Sequence, residues 1–526
     1  MASKRSPFLR DARIFCLAAL LAHLGLALIG WNRPLLDHYA WRQTQTAITA
    51  AYLPIDGYRP AYSTPIFGAP AAAPLEFPLY AALASSISRL GGWPLDAAGR
   101  GLSLFGFLAA AAAAAVLMRR FVPVLGPEAP WIALGLLFLS PLYIFYSRAF
   151  LIETTALALS LFFLEALLRS AESHPSVPGR RLLWAGAAFL LGTLAGLTKV
   201  TVLLIACAPA AALLVETAFR RGSLTPVAHP FLALAGAVAA SYAWVHYTDV
   251  VKAANPLASA ILSSKSLVSW NFGTSAQYLS PATYRHSFDR ALPAIFGMKY
   301  TLVLFVPLFV ALPRMPLRLG LLGLGFLAGP LVFLNLFFVH EYYWTENALY
   351  LFLPLGALLA FVLRRLSSPW LMRAVLLAVA LLMLNGYRTQ FLPLQNRTDT
   401  DALALAAAIE EHVPAENFVL YLGYDYDPSL PYYSHRRALM DGGMAGSRAF
   451  EATYQATGPE RIAAAVVTAE EGKREETVAR LAALGFAPEP AYSSASGALF
   501  IKVPTATPAQ VPTTPAVPTP PPASAP

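Results

Sequence analysis

Cysteine is almost missing from this chain. Only Cys16 and Cys207 occur in 526 residues, and both lie inside apolar runs. Such a pair builds neither a disulfide framework nor a thiolate metal site. HExxH, P-loop, nucleophile-elbow and CxxC patterns are also missing. Zinc peptidase, ATPase and serine hydrolase readings therefore lack support, and nothing indicates a divalent metal. Charge is scarce as well: charged residues make up 13% of the chain against 57% hydrophobic, with 43 prolines. That balance excludes an ordinary soluble protein and indicates a polytopic membrane protein. A net charge of +9 would suggest nucleic acid in a soluble domain. Here the basic residues sit in small groups beside apolar segments, so membrane topology accounts for them and no nucleic-acid partner is expected.

What is present in quantity is apolar sequence long enough to span. The first run, Ile14 to Trp31, follows a basic amino terminus with Lys4, Arg5, Arg10 and Arg13. Ten further segments are centred near residues 109, 139, 161, 190, 209, 238, 306, 329, 355 and 378, each approaching the length a helix needs to cross a bilayer. The stretch Pro74 to Leu90 is apolar but carries Glu76, Pro78 and Arg89. If it lies in the interface, Arg119-Arg120, Arg180-Arg181, Arg220-Arg221 and Arg364-Arg365 all fall on the inner side. Counting it as a span reverses most of them. The expectation is an all-α polytopic membrane protein of about eleven spanning helices, amino terminus inside and carboxyl terminus outside, with 74–91 re-entrant or interfacial.

Residues 1–390 then form the membrane domain, with a long first outer loop at 32–98. From Thr398 to Val503 polar and apolar residues mix. Asp401 to His412 and Glu470 to Leu484 read as helices, Phe418 to Leu422 and Ala463 to Val467 as strands. This predicts a small α/β domain outside the membrane. Residues 504–526, rich in Pro, Ala and Thr, have little to bury and read as a disordered tail.

Ionisable residues at outer helix ends carry the chemical information, because placing them near hydrocarbon is costly without a use or a partner. They are Asp37, Arg42, Glu76, Arg148, Glu153, Lys199, His340, Glu341 and Glu346. Asp37, Trp41 and Gln45 are expected on one helix face, with His38 and Arg42 on the adjoining one. No basic residue adjoins Asp37 in sequence to make a routine ion pair. Lys199 either snorkels to the interface or meets an anionic lipid phosphate, while Gly192 and Gly196 before it suit close helix packing. His340-Glu341-Tyr342-Tyr343-Trp344 is either an aromatic belt or the lining of a sugar or headgroup pocket. His23 and His246 read as structural.

The order of these features resembles a known family. An Asp in the first outer loop, Trp41-Arg42-Gln43 with Thr46-Ala47, and Glu76-Phe77-Pro78-Leu79-Tyr80 opening an interfacial helix look like GT-C membrane glycosyltransferases. So do Ser147-Arg148 with Glu153, Leu197-Thr198-Lys199, and the run His340 to Tyr343. The match is to the family 39 branch, which contains protein O-mannosyltransferases and the lipid A aminoarabinose transferase, and it covers about residues 10–390. The resemblance implies inverting transfer of a sugar from a polyprenyl-phosphate carrier to a glycan, lipid or protein acceptor outside the cytoplasmic membrane. It makes Asp37 the catalytic base and Glu153 the second-loop acid. The implied substrate-binding residues are Arg42, Gln43, Glu76, Arg148, Lys199, His340, Tyr342 and Tyr343. Phe77 stands where several relatives carry Lys, and His38 where many carry Glu, so Arg42, Arg148 and Lys199 take the phosphate-binding part. Good leaving-group chemistry needs one base and no paired acid. A transporter or flippase of lipid-linked glycans is the alternative, and it should instead place charges near the bilayer midplane.

Overall fold

The computed structural model describes residues 7–174, 176–298, 312–473 and 475–503. The segment expected to span near residue 306 and the proline-rich tail lie outside the described residues. Among the described residues seven helical segments are long and apolar enough to cross a membrane. Six are Leu95–Arg119, Glu153–Glu172, Pro178–Thr198, Val200–Arg221, Thr225–Lys252 and Ala348–Arg365, and the seventh begins at Pro369. They coincide with the segments centred at 109, 161, 190, 209, 238, 355 and 378. The chain is a multi-pass membrane protein. Leu182, Leu183, Phe189, Phe231, Leu232, Leu377 and Leu381 stand exposed on these helices, as a lipid-facing surface requires.

Pro7–Ala27 forms a further helix, and two shorter apolar helices, Ala129–Leu139 and Leu317–Val332, mark two other expected spans. The first of these breaks at Ser140, whose backbone is extended, because Pro141 disfavours helical geometry in the residue before it. The helix restarts over Pro141–Tyr146. Between the spans, Leu79–Gly91 is only 13 residues long, too short to cross. Tight approaches are made through glycine. A Cβ on Gly356 would lie 2.3 Å from the Ala133 Cα, and one on Gly196 would lie 2.0 Å from the Ser241 Oγ.

The direction of each helix separates two kinds of end. Glu153 opens a helix whose last turn, Arg169 to Glu172, joins an ionic network. There Arg120 meets Glu165 at 2.9 Å, and Arg318 meets Glu172 at 2.6 Å and Glu216 at 2.8 Å. Twenty helical residues cover about 30 Å. The dibasic groups therefore lie a membrane thickness away from Glu153.

Residues 399–503 fold around a mixed five-stranded sheet. Its strands are β1 (Phe418–Leu422), β2 (Arg437–Met440), β3 (Ile462–Val467), β4 (Tyr492–Ser494) and β5 (Gly497–Ile501), in the order β2-β1-β3-β5-β4. The first three are parallel and the last two antiparallel. Thr400–His412 and Glu475–Ala483 are helices, close to the expected bounds. β2, β4 and β5 were not legible as separate strands, being short and weakly alternating.

This sheet is not a free appendage. The long first loop, expected outside, runs along the β2 edge: Ala438 N donates to Pro65 O at 2.8 Å, Met440 N to Ile66 O at 2.9 Å, and Gly68 N to Ala438 O at 2.9 Å. Gly68 takes φ +65, and a Cβ there would strike Thr457 Oγ1 at 2.3 Å. Leu36, Ile48, Ile66 and Phe67 share a buried core with Leu257, Leu405, Leu420 and Leu439. The paired loop blunts an otherwise open sheet edge.

Candidate active site

The helix after the first turn of the long first loop starts at Ala40, with Tyr39 in the left-handed region at φ 55. Asp37 thus lies outside the helix, and the expected shared face of Asp37, Trp41 and Gln45 is not formed. Arg42 and Gln45, three residues apart, hydrogen-bond to each other. Trp41 instead turns toward Tyr426 of the sheet region, ring centroids 5.4 Å apart, and toward His340 at 6.4 Å.

Asp37 is buried and held from three sides. Arg148 Nη1 donates to its Oδ2 at 2.7 Å, Arg100 Nη2 stands 3.5 Å from the same oxygen, and Gln43 Nε2 donates to Oδ1 at 2.5 Å. Both arginines come from distant segments, so the ion pairs do not show in the sequence beside Asp37. Gln43 is itself fixed, its Oε1 accepting from Phe150 N at 3.0 Å. Burial raises the Asp37 carboxyl above its ordinary range, against the opposing pull of Arg148 and Arg100. Sequence reasoning missed Arg100. Its signal was an arginine inside an apolar span, where charge is costly without a partner.

A second cluster is built around Arg42, the residue before Gln43 in sequence. Arg42 Nη2 donates to Glu76 Oε1 at 2.7 Å and stands 3.9 Å from Glu153 Oε1. Lys199 Nζ is 3.4 Å from Glu76 Oε1 and 3.5 Å from Glu153 Oε1. Lys199 is buried over the Tyr343 ring, 5.4 Å from its centroid, so it does not snorkel. Neither Glu153 oxygen has a hydrogen-bond donor among the described residues. Glu346 is fully buried beside them, accepting from Thr201 Oγ1 at 2.9 Å. Burial raises Glu346 to about 8, although Lys199 opposes this. Burial also works against ionising Glu76, but Arg42 and Lys199 overcome it and hold that carboxyl down at about 2.

The structure thus brings Arg42, Glu76, Glu153 and Lys199 together and assigns Arg148 to Asp37 instead. His38 Nε2 lies 2.8 Å from Glu341 Oε1, to which Tyr146 also donates at 3.0 Å. His340 packs among Tyr39, Trp41, Tyr342 and Tyr343, and burial, with Arg290 and Arg42, lowers it to about 4. Tyr342 and Tyr343 are buried, stacked 4.4 Å apart. His23 is structural: its ring nitrogens reach Phe138 O and Ser147 Oγ, each at 2.9 Å. Among the described residues no group of three or more His, Cys, Asp or Glu is placed to hold a metal ion.

Asp37 also forms part of the wall of a cleft of about 460 Å³. Leu36 and Ala40 line it on one side, and Tyr424, Asp427, Ser429 and Ser496 of the sheet region on the other. The cleft is of a size that takes a small ligand or a section of a larger one.

A membrane bundle with a broken helix, a long first loop and a small appended sheet is a fold this chain shares with solved structures. No protein-family model and no curated protein matches the chain in sequence. Among solved structures it is similar to ArnT from Cupriavidus metallidurans bound to undecaprenyl phosphate, with TM-score 0.62 and 14% identity over 93% of this chain and 98% of that one. The apo state of the same protein gives 0.61 and 15%. The archaeal oligosaccharyltransferase AglB from Archaeoglobus fulgidus, in complex with an inhibitory peptide and a dolichol-phosphate, gives 0.50 and 12% over 87% of this chain and 70% of that one.

Proposed function

We propose that this protein is an inverting glycosyltransferase that moves a sugar from a polyprenyl-phosphate carrier to an acceptor on the outer face of the cytoplasmic membrane. The observation that carries the reading is a site of two clusters: a pair of buried cations, Arg42 and Lys199, around Glu76 and Glu153, and a buried carboxylate, Asp37, in the wall of a cleft. Arg42 and Lys199 suit the donor phosphate, where charge grows as the carrier leaves. Asp37, fixed by Arg148, Arg100 and Gln43, suits a base that takes the proton of an acceptor hydroxyl or amine lying in the cleft. In a single displacement the acceptor atom bonds to the anomeric carbon, the bond from that carbon to the phosphate oxygen breaks, and the configuration inverts.

Undecaprenyl phosphate in the ArnT structure and dolichol-phosphate in the AglB structure support a carrier of this class. Glu153, lodged among the cations, suits their positioning, and Tyr342, Tyr343 and His340 offer ring faces to a sugar. The positioned charges gather at helix ends and none of this cluster stands at mid-helix, which favours a transferase over a transporter. The sidedness rests on the dibasic groups at the opposite helix ends. Mass spectrometry of surface glycans, envelope lipids and proteins from cells with and without the gene tests the reading. One glycosylated species should disappear in the deletion, and return with the parent gene but not with Asp37→Asn. An unchanged envelope would contradict it.

A further inference from the structure

We infer that Glu76 occupies the seat of the donor phosphate and gives it up on each turnover, acting as an internal competitor that admits the donor and ejects the spent carrier. The inference rests on the reading that Arg42 and Lys199 bind that phosphate. One oxygen, Glu76 Oε1, receives Arg42 at 2.7 Å and faces Lys199 at 3.4 Å. A carboxylate oxygen bridging two buried cations holds the position a phosphate oxygen would take. The space beside it, lined by Arg42, Gln45, Thr46, Glu76 and Tyr80, is a void of about 30 Å³. That is room for a water molecule or two and not for a phosphate group. Through this space phosphate reaches Arg42 only if something moves.

Of the three carboxylates around the two cations, Glu76 is the one free to move. Its side chain is 30% exposed, against 1% for Glu153, while Glu346 is fully buried. Its backbone is pinned: Glu76 O accepts from Tyr62 OH at 2.9 Å, and Phe77 N donates to Leu197 O at 3.1 Å. The residue therefore swings at its side chain and returns to the same place. Charge makes the exchange necessary. Arg42 and Lys199 already face the carboxylates of Glu76 and Glu153, so an added phosphate is opposed until one acid withdraws. After transfer the carrier phosphate is a monoester carrying more charge than the diester donor, and the return of Glu76 to the cations favours its release.

The test is binding of undecaprenyl phosphate to the full-length protein in nanodiscs, with donor KM and kcat measured alongside. Glu76→Gln removes the competitor's charge at nearly constant shape and should tighten binding at least about tenfold. It should lower donor KM and also kcat, as release slows. Glu76→Asp, which keeps the charge on a shorter arm, should tighten binding less and serves if the Gln variant does not accumulate. Equal or weaker binding by these variants, with Arg42→Gln and Lys199→Gln both weakened, would overturn the inference and leave the donor reading standing. Unchanged binding by both cation variants would overturn the donor reading itself, and this inference with it.

Discussion

At the scale of single residues, the two clusters make opposite demands on their charges. Asp37 is locked, so replacing it with Asn should keep the protein folded and cost about 10²–10⁴-fold in transfer, the usual worth of a general base. Near-parent transfer by purified Asp37→Asn would pass the role to Glu153. Lys199→Gln should weaken donor saturation more than acceptor saturation while the protein still accumulates; kinetics in reconstituted membranes read the difference. Glu346 gives a pH signature. Its folded carboxyl is raised by burial to about 8 from an ordinary 4.5, so the unfolded chain releases this proton first. Its contribution to stability is therefore greatest at low pH and falls as pH rises from about 4.5 to about 8. Lys199, Arg42, Glu153 and Thr201 face the same group and are common to both proteins compared. Thermal unfolding should show a shallower decline across that window for Glu346→Gln than for the parent, and parallel curves would contradict the assignment.

At the scale of elements, most helices were legible because each needs some twenty apolar residues, a signal that survives any packing. The short Leu79–Gly91 helix was legible for the converse reason, through Glu76, Pro78 and Arg89 in an apolar run. The charged clusters were legible by residue type but not by pairing. Nothing in sequence could say that Arg148 would reach Asp37 rather than the cluster of Arg42 and Lys199, or that the helix Leu95–Arg119 would also deliver Arg100 beside Asp37. The helical face assigned to Asp37 failed for a local reason: the left-handed Tyr39 stops the helix two residues after it. Helix direction also makes topology testable. With Cys16 and Cys207 replaced, a cysteine at Ser223 or Ser367, on the dibasic ends, should resist an impermeant maleimide in intact cells, whereas one at exposed Val503 should react. Labelling at 223 from outside would overturn the sidedness and with it the outer location of Asp37.

At the scale of the whole molecule, the sheet region and the long first loop pack as one body. Tyr432 and Tyr433 hydroxyls both reach Asp96 at the start of a membrane helix, at 2.6 and 2.8 Å, and Tyr433 also accepts from Leu35 N at 2.5 Å. The expected small domain is therefore a wall of the acceptor cleft in this account, and the sequence was silent on that because its contacts span more than 300 positions. Asp96→Ala should loosen that wall, raising acceptor KM more than donor KM. The central claim is transfer of a sugar off a polyprenyl phosphate, and its most direct measurement needs no bilayer. Purified protein in detergent is mixed with the host's polyprenyl-phosphate-linked sugars and an envelope extract as acceptor, and free polyprenyl phosphate is followed by mass spectrometry. The account predicts its release by the parent protein, matched by glycosylated acceptor, with Asp37→Asn near background. A parent protein that binds these lipids in detergent yet frees no polyprenyl phosphate from them would contradict it.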